Sequence, residues 1–147
     1  MTIKKIKKIK KIKKIKEIKE GDSVLARFIP ASEAWRDGLN FFSPDEDFIQ
    51  VGSWCYEEGK QLLAHQHNRV ERNVPWTQEV LYVRQGKVRV QIYDSQSELV
   101  DQWDASAGDI VILLRGGHGY EILENGTQVL EVKNGPYVGA EKDRQRL

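Results

Sequence analysis

The sequence predicts an all-β domain, on three observations. Apolar runs rich in Val, Ile and Leu recur at strand length, and the clearest of them alternates Val88, Val90 and Ile92 with Arg89 and Gln91. Twelve glycines punctuate the chain, several of them inside turn-forming clusters. The runs also follow one another at short spacing, which points to an antiparallel sandwich or small barrel and not to βαβ units.

The expected strands follow in order. Residues 24–29, Val-Leu-Ala-Arg-Phe-Ile, form a first strand closed by Pro30, and 48–54 form a second after the turn at Ser43-Pro44-Asp45. Residues 60–67 make a third. Residues 79–83 and 87–93 read as a hairpin across Arg84-Gln85-Gly86. Residues 109–114, 120–123 and 129–133 complete the set, separated by Gly116-Gly117 and by the turn Glu124-Asn125-Gly126-Thr127.

Residues 1–20 are a different kind of sequence, a low-complexity Lys/Ile tail ahead of a domain at 21–147. Isoleucine recurs at positions 3, 6, 9, 12, 15 and 18 with lysine in most gaps. A period of three drifts around a helix and alternates faces in a strand, so neither element gains an apolar face, and lysine repulsion opposes both. A frayed helix or disordered tail is expected. The tail holds ten lysines and two glutamates, net +8, while the other 127 residues hold 13 basic and 20 acidic side chains, net −7. Without interleaved aromatics or arginines, or an apolar face, the tail is not expected to contact nucleic acid or anionic membrane.

The 147 residues suit one domain. The lone cysteine, Cys55, excludes an internal disulfide and fits a reducing compartment. No two isoleucines of the tail are adjacent, so it is not an export signal, and no apolar stretch reaches the length of a transmembrane segment. A cytoplasmic protein is the expectation. No glycine-rich phosphate loop leads into a helix pattern, and no serine occupies a nucleophile elbow. Asp45, Glu46 and Asp47 read as a solvated turn.

The three histidines carry the chemistry. On a strand, His65 and His67 would share one face, Glu79 opens the run at 79–83, and His118 follows the apolar run 110–114. Three imidazoles and a carboxylate suit a divalent transition metal (Fe, Mn, Ni, Co or Zn) better than calcium or magnesium. A polar pocket using the same residues without metal is the plainer alternative.

Here the sequence resembles the cupin superfamily. Gly59-Lys60-Gln61-Leu62-Leu63-Ala64-His65-Gln66-His67 matches the first half of the family's first motif, and Glu79 to Gly86 the second half. Gly108-Asp109-Ile110-Val111-Ile112-Leu113-Leu114-Arg115-Gly116-Gly117-His118 represents the second motif, so the resemblance spans 59–118. Two departures stand out: eleven residues separate His67 from Glu79, more than the family's usual spacer, and Leu114-Arg115-Gly116 replaces its Pro-x-Gly. Gly135-Pro136-Tyr137 is similar to the ending of a group of small single-domain cupins.

The resemblance implies a double-stranded β-helix, a jelly-roll barrel, with metal held by His65, His67, Glu79 and His118 near its mouth. It further implies a homodimer and a metal-dependent isomerase or dioxygenase acting on a small carbonyl or sugar-like metabolite. The alternatives are a non-catalytic module that binds or senses a small molecule, and a structural metal with no open coordination position. The spacer supplies Arg69, Arg72 and Trp76, which suit an anionic ligand and a stacking contact. Tyr56 and Tyr120 lie near the ligand-bearing segments and complete the candidate substrate residues.

Overall fold

The computed structural model describes residues 13–147. Along them run β1 (Lys16–Glu20), β2 (Ser23–Ile29), a short helical turn α1 (Ala31–Ala34), β3 (Gly38–Phe41) and β4 (Gly52–Cys55). After a long irregular stretch come β5 (Glu79–Gln85), β6 (Lys87–Tyr93), β7 (Leu99–Ser106), β8 (Ile110–Leu113), β9 (Gly117–Ile122), β10 (Gln128–Lys133) and α2 (Ala140–Asp143). Every strand pair is antiparallel.

The strands form three separate sheets: β1-β2-β8-β5-β10, β7-β6-β9 and the β3-β4 pair. The first two lie face to face. Leu81, Val83, Val111 and Leu113 of the five-stranded sheet share one core with Val88, Val90, Ile92 and Ala105 of the three-stranded sheet. On its other face the large sheet is covered by the chain between 29 and 51, where Ile110, Ile112 and Leu114 pack with Ile29, Ala34 and Val51. That double cover explains why β8 is buried at every position and why its sequence is apolar without alternation. β6, with one covered face, alternates strictly.

The cover is tied down by polar groups. Asp109 is buried, and its carboxylate accepts the backbone N–H of Ala31 at 2.7 Å and of Ser106 at 2.7 Å, joining α1 to the β7–β8 turn. Arg27 is also buried, paired with Glu17 of β1 at 3.3 Å and with Asp47 at 2.5 Å.

The all-β expectation agrees with these elements, but the barrel does not. None of the sheets closes on itself, so the jelly-roll barrel, and with it the cupin assignment, is corrected to an open sandwich with a small third sheet. The expected hairpin differs too, at Gly86. Its φ of +83° and its closeness to Thr127, which a Cβ would strike, make it a sharp turn. The turn does not close the hairpin expected across 84–86: β5 pairs with β8 and β10, while β6 pairs with β7 and β9, so the chain passes there from one sheet to the other.

The strand expected at 60–67 is absent as well. Residues 54–73 are exposed without a break, Leu63 is 86% exposed, and no ladder includes this segment. The strand expected at 48–54 is reduced to β4. Conversely, β7 is a strand that its polar sequence concealed.

The Lys/Ile segment ends differently from the frayed helix or disordered tail expected of it. Lys16–Glu20 pairs along β2, and Ile18, 4% exposed, enters the main core. The acidic domain supplies the counter-charges, with Lys16 against Asp101 at 2.7 Å and Lys13 against Asp109 at 3.9 Å. Residues 1–12, which carry the rest of the tail expectation, lie outside the described residues. No helix among the described residues is long and apolar enough to cross a membrane.

Candidate functional site

Strand pairing decides which side chains face the space between the two main sheets. His118, Tyr120 and Ile122 of β9 stand opposite Ile92, Val90 and Val88 of β6, so they share the inward face of the three-stranded sheet. Across the gap, Glu79 stands on the inward face with Leu81 and Val83, and β10 adds Lys133, Glu131 and Val129 opposite those three residues. β9 and β10 are both edge strands, so this side of the sandwich is open. The inward residues there stay partly exposed, Tyr120 at 39% and Ile122 at 61%, although their pairing points them toward the core.

At the base of this cleft the sheets touch through polar groups. His118 Nε2 lies 3.4 Å from Glu79 Oε2, and Lys133 Nζ lies 3.6 Å from the other carboxylate oxygen. Lys133 also meets Glu131 at 2.8 Å, and the Tyr120 ring leans on the His118 ring at 5.4 Å between centroids.

The electrostatics follow from these contacts. The His118 contact lowers the Glu79 carboxyl from its usual range and outweighs the opposing effect of burial, with Lys133 adding to it. Burial, reinforced by the charges of Glu79 and Glu131, pushes the Tyr120 hydroxyl above its ordinary value. Its bond to Glu131 raises Lys133. Around neutral pH the cleft therefore holds an ionised carboxylate, a neutral phenol and an ammonium group.

This arrangement corrects the expected metal site. The four proposed ligands fall into two separate pairs, and only that of Glu79 and His118 lies between the sheets. His65 and His67 lie on the exposed irregular segment, where the two rings touch edge-on at 5.2 Å and His65 Nδ1 is 3.1 Å from the Leu63 carbonyl. The i, i+2 argument fails because it requires a strand, and residues 60–67 are not one. Among the described residues no group of three or more His, Cys, Asp or Glu side chains is placed to hold a metal ion, and Lys133 takes up the Glu79 oxygen that His118 leaves free. Without a closed barrel, and with no assembled cluster of metal-binding side chains among the described residues, the metal-dependent isomerase or dioxygenase reading is corrected.

The expected substrate residues separate as well. Tyr120 belongs to the cleft. Trp76 borders its lower end: its carbonyl accepts from Asn134, the residue after β10, and its ring faces Arg115 at 5.5 Å, just ahead of β9. Arg72 instead lines a surface hollow of about 530 Å³ with Asp45, Glu46, Asp47 and Phe48. Tyr56 packs under Lys60 at 5.3 Å, and Arg69 is exposed.

Lys133, Glu131 and Ile122 are cleft residues that sequence reasoning missed. The signal available was weak: Glu131 and Lys133 alternate with Leu130 and Val132, which marks them as one face of a strand without saying which face is inward. No family model matches the chain, and comparison with characterised proteins and with solved structures returns no match.

Proposed function

We propose that the chain is a non-catalytic module that binds a small polar metabolite in the open side of the sandwich, between β9 and β10. The observation that carries this reading is the contact of His118 with Glu79 at 3.4 Å, which sets a charged, hydrogen-bonding floor below Tyr120 and Ile122. A few converging polar groups beside apolar walls are the usual make-up of a small-molecule site.

The electrostatics favour binding over turnover. General acid–base catalysis works best when the pKa lies near the operating pH. Glu79 is shifted away from that range in one direction and Tyr120 in the other, so the first is a weak base and the second a weak acid. Both are well suited to hold a hydroxyl or carbonyl group without moving a proton. The two carboxylates, Glu79 and Glu131, oppose an anion and favour a neutral carbonyl or sugar-like ligand over the anionic one suggested by Arg69 and Arg72. Trp76 is the residue of the long spacer best placed to meet such a ligand, and Arg69, Arg72 and Tyr56 fall outside this reading. The unpaired Cys55 supports a reducing, cytoplasmic setting.

Calorimetric screening of chelator-treated protein against sugars, polyols and small carbonyl compounds tests the reading. A ligand that uses Glu79 should bind about tenfold or more weakly to Glu79→Gln, because a hydrogen bond to a charged group contributes about 1.5–3 kcal/mol. Tyr120→Phe should weaken it less. Equal affinity for all three proteins would place the ligand elsewhere, and turnover of any compound would overturn the non-catalytic assignment.

A further inference from the structure

We propose that two copies of the chain join through the outer edge of β10, antiparallel, about a two-fold axis at Val132. The inference does not depend on the ligand reading.

β10 pairs only with β5 among the described residues, and all six of its residues are exposed. The direction of its backbone groups can be worked out. Asn134 donates its N–H to the Gln78 carbonyl, so the two-residue alternation of an antiparallel ladder turns the N–H and C=O of Val132 and Leu130 toward β5. Those of Val129, Glu131 and Lys133 then face outward, unpaired by any described strand. The strand has no proline, and its one irregularity, at Gln128/Val129, leaves 129–133 regular. An edge of this kind is a template for another strand.

Charge selects the occupant and the register. A two-fold axis at Glu131 would set Glu131 against its own copy, and an axis at Lys133 would do the same for the lysines. An axis at Leu130 would face Glu131 with Val129 and leave Lys133 without a carboxylate opposite. With Val132 on the axis, each Glu131 faces Lys133 of the other copy, both in hydrogen-bonded positions, and opposite charges directly across a pair are favourable. Only a second copy supplies that complement twice. On the other face of the strand Val132, 49% exposed, would meet its counterpart, and Leu130, 59% exposed, would be covered. Two five-stranded sheets become one of ten strands, and each cleft gains a rim residue from the partner.

Sedimentation equilibrium of the full chain should give twice the 17.0 kDa of one copy. Glu131→Lys sets lysine against lysine and Lys133→Glu sets glutamate against glutamate, so each variant alone should dimerise at least tenfold more weakly. Mixed in equal amounts, the two should recover a one-to-one dimer. Val132→Cys in a Cys55→Ser background should oxidise to a covalent dimer, a readout that stands even where Lys133→Glu, beside Glu79, disturbs folding. A monomeric wild type, single charge variants that dimerise as well as wild type, or no Val132→Cys dimer would each overturn the proposal.

Discussion

His118 and Glu79 come from different sheets and meet across the open side of the sandwich, 3.4 Å apart. The contact gives the site its floor and also fastens one sheet to the other, so its state should be visible in stability as well as in binding.

A folded-state carboxyl pKa below its unfolded value contributes stability that is present above the unfolded pKa and lost as pH falls through the folded one. Glu79 is lowered in this way from an ordinary value of 4.5. Wild type should therefore be more stable than Glu79→Gln at neutral pH, with the difference present above about pH 5 and shrinking as pH falls through the lowered folded-state value. Urea unfolding at several pH values checks this. A gap that grows on acidification would contradict it.

Ile18 lies in the core and Ile15, three residues earlier, is 42% exposed. Ile18→Ala should cost about 2–5 kcal/mol and Ile15→Ala no more than about 0.5 kcal/mol. Equal, small effects in chemical denaturation would show that β1 is not part of the folded sheet.

A similar contrast tests the exposed segment. Ile112, buried in β8, should cost about 2–5 kcal/mol as Ile112→Ala, whereas Leu63→Ala should stay within about 0.5 kcal/mol. A large loss at Leu63 would place residues 60–67 in a packed strand after all.

Asp109 accepts two backbone N–H groups at 2.7 Å each. Asp109→Ala leaves those donors without their acceptor and should destabilise by about 2–4 kcal/mol. Asp109→Asn, which keeps one oxygen, should recover part of the loss. Melting curves of the three proteins decide it.

Much of the strand content was legible, because β2, β5, β6 and β8 carry either strict alternation or continuous apolar runs. β7 was not: its inward positions are Asp101, Trp103 and Ala105, and Asp101 is neutralised by Lys16 from a segment distant in sequence. Residues 60–67 misled in the opposite direction, since Leu62, Leu63 and Ala64 give a strand composition that finds no ladder partner. The site was half legible for the same reason. Glu79, His118 and Tyr120 lie on real strands and meet, whereas the pairing expected of His65 and His67 needs a strand that does not form. Lys133 and Glu131 joined the site through β10–β5 pairing, which no local pattern reveals.

The most direct test of the account is a titration of isotope-labelled, chelator-treated protein with a ligand from the metabolite screen, followed residue by residue by NMR. Binding in the cleft predicts saturable shifts in Glu79, His118, Tyr120, Glu131 and Lys133, with His65, His67 and the hollow at 45–48 unmoved. Shifts concentrated at His65 and His67, or binding that requires a transition metal, would contradict it.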